Sequence, residues 1–197
     1  MTSPRVRRPP AEARRLILDA AEGILAEGGV AAVGVRAVAA RVGMTDAGIS
    51  HHFGSRDDLL EALLRHGGRK IRAGVEEVLR SWLDRGADLG ELVDTLAAFY
   101  RGGYGELAVA LHAAGWRDRG SGMLAPVVDA LHALRADAAD IEDTRLAVAA
   151  LHQALVTESR YGPVFRRSAG LTGRAATASG PQLRWWATHL SRSLGLS

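Results

Sequence analysis

Seven histidines, at positions 51, 52, 66, 112, 132, 152 and 189, are the most versatile side chains in this sequence. Cysteine is absent, so no disulfide, thiolate metal ligand or thiol nucleophile can form. The histidines are dispersed, and none pairs with a carboxylate at the i, i+4 spacing of a helical metal site. No G-x-S-x-G, phosphate-binding loop, H-E-x-x-H or G-x-G-x-x-G pattern occurs. Catalysis, a bound metal and a cofactor are therefore not expected. One dense polar group remains: Thr45, Asp46, Ala47, Gly48, Ser50, His51 and His52. Such hydroxyl, imidazole and small side chains suit hydrogen bonding to base edges and phosphates, with Ala47 and Gly48 permitting close approach.

That group needs a short helix to carry it and neighbours to hold it. The pattern predicts a first helix over about residues 11–27, with Leu16, Ile17, Ala20, Ala21, Ile24 and Leu25 on one face and Gly28-Gly29 as its stop. A second helix spans Val35 to Val42 and ends at Gly43. Thr45 caps a third, Asp46 to His52, whose inward residues are Ile49 and Phe53. Two short helices around a glycine turn form a helix-turn-helix, in which Val38 and Ile49 lock the pair and the third helix faces a major groove.

Ser55 then caps a long fourth helix to about Leu83, with Asp58 as capping-box partner. Gly67-Gly68 inside it point to close packing or a bend, with a hinge as the other possibility. A fifth helix follows Asp88. A sixth runs near Tyr104 to Ala114, a seventh starts at Pro126, an eighth covers about Ile141 to Tyr161, and a ninth starts at Pro181. Residues 163–180 are rich in Gly, Ser, Thr and Arg and read as mobile. The expected fold is all-α, with about nine helices in all: an N-terminal three-helix helix-turn-helix domain followed by a larger helical bundle. The expected division is a flexible basic arm at 1–10, a DNA-binding domain at 11–56, and a ligand-binding and dimerisation domain at 57–197.

Charge is weaker evidence. Net charge is +3, and residues 1–60 hold eight arginines against seven acids. Arg5, Arg7 and Arg8 could reach the minor groove or merely solubilise the arm. No apolar run approaches the ~20 residues that span a bilayer, and no signal core follows the basic start. No membrane partner is expected, and a cytoplasmic location is.

The stretch VRAVAARVGMTDAGISHHFGSRDDLLEALL, residues 35–64, resembles the DNA-binding region of the TetR family. The matching positions are Ala39, Ala40, Gly43, His52, Phe53, Ser55, Arg56, Asp58, Leu59 and Leu60. The family usually has Tyr where this chain has Ser50, and often Ser or Thr where it has Gly34. Over residues 11–64 the likeness is strong; beyond, only length and helical layout agree. The resemblance implies a transcriptional repressor that binds palindromic double-stranded operator DNA as a homodimer and responds to a small apolar or amphipathic effector. It implies a DNA-facing set of Arg36, Thr45, Ala47, Gly48, Ser50, His51, His52 and Arg56. His52 is as well read as a half-buried structural histidine.

The resemblance also implies an effector pocket among helices four to seven and a dimer through helices eight and nine. Trp82, Phe99, Tyr100, Tyr104, His112, Trp116 and Met123 are the pocket candidates, though each alone could be core. Leu183, Trp186, Leu190 and Leu194 stripe the ninth helix, with Trp185 beside them. Leu151, Leu155, Leu183, Trp186 and Leu190 are the dimer-interface candidates, packing within the chain being the alternative. Two further readings stay open: a helical ligand binder that no longer reads DNA sequence, and an activator with the same fold.

Overall fold

The computed structural model describes residues 9–117, 122–135 and 140–196. Arg5, Arg7 and Arg8, and all but the end of the expected arm, lie outside them. The described chain is helical, with no strand among the described residues. Its helices are α1 (Pro10–Ala32), α2 (Val35–Val42), α3 (Asp46–Phe53), α4 (Arg56–Arg85), α5 (Leu89–Phe99), α6 (Gly105–Ala113), α7 (Ala125–Ala133), α8 (Ile141–Ser168), α9 (Gly173–Thr177) and α10 (Gly180–Ser193). A single π turn, Tyr100–Tyr104, joins α5 to α6.

The end signals act as their chemistry dictates. Gly29 breaks α1 at φ 71, ψ −175, a region that only glycine occupies readily. Thr45 Oγ1 accepts from the Gly48 amide at 3.1 Å and starts α3. Ser55 and Asp58 close a reciprocal capping box: the Ser55 amide donates to Asp58 at 2.9 Å and the Asp58 amide to Ser55 Oγ at 3.1 Å. The Ser55 hydroxyl, donating to the Asp58 carboxylate at 2.6 Å, and then the Ser55 amide hold that carboxyl below the usual range.

Two buried clusters share α4. Its first turns place Leu59, Leu60, Ala62 and Leu63 in a head core with Ile17, Leu25, Val38, Ile49 and Phe53. Its second half places Ile71, Val75 and Val78 in a body core with Leu92, Leu96, Val127, Leu151 and Leu190. Along α4 the head cluster runs as far as Leu63, and Tyr104, Leu107 and Leu111 join it from the π turn and α6.

The π turn divides its two tyrosines between these cores. Tyr104 belongs to the head cluster and Tyr100 to the body cluster. Gly67 makes the first placement possible, since a Cβ there would lie 2.2 Å from the Tyr104 ring. On helix propensity alone, Gly67→Ala would stabilise α4 by roughly 1 kcal/mol. We expect instead a loss of about 1–3 kcal/mol, because the ring is overpacked. Urea melts of Gly67→Ala, and of Gly67→Ala with Tyr104→Leu, check this through the sign and its reversal.

Residues 163–180 differ from their expected mobility. α8 continues through Pro163 to Ser168, and α9 follows. The tie is Arg166, 4% exposed, which donates to the Ala176 carbonyl at 3.1 Å and to Glu158 at 2.6 Å. A buried guanidinium with two acceptors fixes a segment whose composition reads as loop.

Candidate functional site

The α2–α3 pair is built from inside outward. Val38 and Ile49 have no exposed surface, and Ala39 and Phe53 are buried with them. Gly43, left-handed at φ 67, ψ 33, turns the chain between the helices. Arg14 of α1 steadies the far end of α3, its guanidinium 4.2 Å over the Phe53 ring and donating to the His52 carbonyl. Held this way, α3 exposes Thr45, Ala47, Ser50 and His51, with Gly48 and His52 partly covered. Arg36 is exposed on α2.

Arg56, exposed at the start of α4, also bonds to α1. Its Nε donates to the Val33 carbonyl at 2.7 Å and a terminal nitrogen to the Val30 carbonyl at 2.8 Å. Arg56 remains exposed while its guanidinium bridges the Val30 and Val33 carbonyls at the C-terminal end of α1. His52 is half-buried, and burial lowers its imidazole pKa, aided by His51 and Arg14. Near neutral pH it offers one ring N–H rather than a full charge. Arg41 is held by Glu27 at 2.5 and 3.0 Å.

Beside the head, a cavity of about 590 Å³ lies between α4 and the α5–α6 segment, closed by α8 and the chain before α7. Phe99, Tyr100, Tyr104, His112, Trp116 and Met123 line it. Phe99 stacks on Tyr104 with centroids 4.6 Å apart and planes 8° from parallel, and meets Tyr100 edge-on at 5.1 Å. The sequence reading missed other parts of the wall. Arg65, Arg69 and Arg72 come from α4, and His152 from α8. The arginine spacing of i, i+4, i+7 marks one helix face and was the available signal.

Trp82 is not on that wall. It borders the body core, half-buried, and its indole N–H has no partner among the described residues. The interface candidates are also relocated. Leu151, Leu155, Leu183 and Leu190 are each 5% exposed or less, in the body core of their own chain, and Trp186 packs against it. The stripe on the last helix is the face that packs on α5, which meets the chain's own need for burial first. The outward large apolar residues of these helices are Leu146, Tyr161, Val164 and Phe165 on α8 and Trp185 on α10.

A polar joint links the head to α4. Lys70 Nζ lies 2.6 and 2.7 Å from the Glu22 carboxylate, and His66 Nε2 is 3.5 Å from Asp19 and 4.0 Å from Glu22. Asp19, Glu22 and His66 could in principle share a metal ion. Lys70 already neutralises Glu22, so the geometry is that of an ion-paired joint. The Tyr104 hydroxyl is near this joint without a hydrogen bond, and burial, then Glu22, push its pKa above the ordinary phenol value.

Burial also lowers the pKa of His66 and His152 below the ordinary 6.5. With His52, three imidazoles bind protons more weakly folded than unfolded. Below about pH 6.5 the unfolded chain then holds more protons, so stability falls as pH falls through that window. Thermal melts from pH ~7.5 to ~5.5 should show Tm declining, and His152→Gln should flatten the slope. A Tm that rises on acidification would contradict the assignment.

A short helix presented outward by a buried partner, on a body that holds a cavity against the connecting helix, is the architecture of a helix-turn-helix regulator. A family model described as bacterial regulatory proteins of the tetR family matches residues 17–63, from the core of α1 to Leu63 of α4. Solved structures extend the likeness over the whole chain. The multidrug binding protein EbrR complexed with imidazole is 26% identical with a TM-score of 0.55, covering 95% of this chain and 96% of that one. EbrR complexed with malachite green is 25% identical with a TM-score of 0.54, covering 93% and 98%. SCO1917, a TetR family member from Streptomyces coelicolor A3, is 26% identical with a TM-score of 0.56, covering 93% and 98%. No curated protein sequence matches the chain. Residues 17–63 thus match the tetR family model, and nearly the whole chain shares the fold of solved TetR-type regulators. Among the described residues, no helix is long and apolar enough to cross a membrane.

Proposed function

We propose that this protein is a repressor that binds palindromic operator DNA as a homodimer and releases it when a small amphipathic effector fills the cavity. It acts as a regulator, not as an enzyme. The observation that carries this reading is α3, locked by Ile49 and exposing Thr45, Ala47, Ser50 and His51 along one edge. We assign base and phosphate contacts to these residues with Gly48 and Arg36, a lesser contact to His52, and a bracing role to Arg56. Head and body divide within α4, after Leu63.

Two half-sites one DNA turn apart need two readers. The exposed apolar faces of α8 and α10 supply the surface for pairing. Phe165→Glu with Trp185→Glu should raise the dimer dissociation constant at least thirtyfold, roughly the effect of losing one aromatic hot spot. Light scattering across a dilution series reads this, and an unchanged dimer would place the interface elsewhere.

Release works by population shift: an effector lowers DNA affinity only by the difference in its affinity for the two states. Tyr104 is suited to transmit that difference, because it lines the cavity and is also part of the head core. Footprinting on the DNA upstream of the gene tests the reading. It predicts two symmetric protected halves, centres ~34–36 Å apart. Diffuse protection without symmetry would count against it.

A further inference from the structure

We propose that the cavity selects an amphipathic organic anion, its acidic head held by Arg65, Arg69 and Arg72 and its apolar part by Phe99, Trp116 and Met123. The inference rests on the cavity being the effector site and adds the chemistry of its occupant.

Arg65, Arg69 and Arg72 lie on one face of α4 and all line the cavity, to whose wall no described Asp or Glu contributes. Arg65 and Arg72 are partly balanced along the helix by Glu61 at 3.1 Å and Glu76 at 3.2 Å, and neither acid lines the cavity. Arg69 has no ion-pair partner among the described residues. A cationic occupant would meet uncompensated like charge, and a neutral one would leave the arginines unused. Carboxylate, sulfonate and phosphate heads match the planar donor fork of Arg. The opposite wall is aromatic and aliphatic, as a hydrocarbon or ring requires.

A second observation comes from inside. Tyr100 is 4% exposed, lines the cavity, and its hydroxyl has no hydrogen-bond partner among the described residues. A buried hydroxyl without a partner is disfavoured. An occupant carrying a further oxygen near Tyr100 would satisfy it. His152, partly buried with its ring 5.5 Å from that of Tyr100, adds a second polar group to the wall.

The test uses three chain-matched probes, decanoate, decanol and decylammonium, titrated into the full protein by calorimetry at neutral pH. Operator binding is measured on the same samples. Decanoate should bind saturably and about tenfold or more tighter than decanol, the effect of a charge-assisted hydrogen bond, with decylammonium weakest. Arg69→Met and Arg65→Met should remove most of that preference and leave decanol affinity within about twofold. Both side chains are exposed, so an unchanged melting curve should show that folding is intact. Equal binding of decanol, or tighter binding of decylammonium, would overturn anion selection and leave the cavity as an effector site. Binding of none of the three would overturn both, while operator binding would still report on the DNA-reading assignment.

Discussion

Ile49→Ala is expected to lower the stability of the head by about 2–5 kcal/mol and to abolish sequence-specific DNA binding. Ile49 has no exposed surface and sits in the head core with Val38 and Phe53. Its helix has eight residues, too short to persist in water without tertiary support. Truncation removes buried apolar area, leaves a cavity, and frees the edge that carries Ser50 and His51. Because the body has its own core, the loss should be local: hydrogen exchange should accelerate in α2 and α3 while α5 and α8 keep their protection. Ile49→Val should cost only about 0.5–1.5 kcal/mol and retain binding. Full-strength operator binding by Ile49→Ala would show that α3 is not the reading element.

Glu158→Ala should destabilise the body by about 3–5 kcal/mol, the usual effect of stripping a partner from a buried charge. Arg166 and Glu158 retain 4% and 14% of their side-chain exposure, and their contact is 2.6 Å. Gly162 makes room for the carboxylate, since a Cβ there would lie 2.5 Å from a Glu158 oxygen. Without Glu158, the guanidinium keeps only the Ala176 carbonyl. Paired substitution with apolar residues, Glu158→Leu with Arg166→Met, should recover most of the loss, because no unpaired charge then remains buried. Chemical denaturation of the single and double variants reads both numbers. Equal loss in the two would indicate that packing, not charge, sets the effect.

The parts of this protein most legible in the sequence are those fixed by local chemistry. Gly43, Thr45 and the Ser55–Asp58 pair mark helix ends through their own backbone and side-chain bonds, and the structure has those ends, while Gly29 kinks α1 three residues before its end. The cavity candidates were legible as aromatics with polar tips, but Trp82 was not separable from them without knowing which side of α4 each neighbour packs. The arginines of the wall went unnoticed, since charge repeating at i, i+4 and i+7 is also the pattern of a solvated helix face. The leucines of α8 and α10 show the general difficulty: an apolar stripe announces burial without saying by what, and here the chain's own α5 takes α10. The Gly-, Ser-, Thr- and Arg-rich composition of residues 163–180 suggested a mobile segment. Only a long-range bond from Arg166 to Ala176 explains their order. Arg56 is similar, since nothing local shows that the Val30 and Val33 carbonyls lie within its reach.

The most direct test of the central claim is fluorescence anisotropy of the purified protein on its upstream intergenic DNA, against scrambled competitor over a salt series. The account predicts tight, competitor-resistant binding that weakens linearly in log salt, as phosphate contacts require, and is lost in a Ser50→Ala, His51→Ala double variant whose melting curve is unchanged. Binding no tighter than to scrambled DNA, or unaffected by that double substitution, would contradict it.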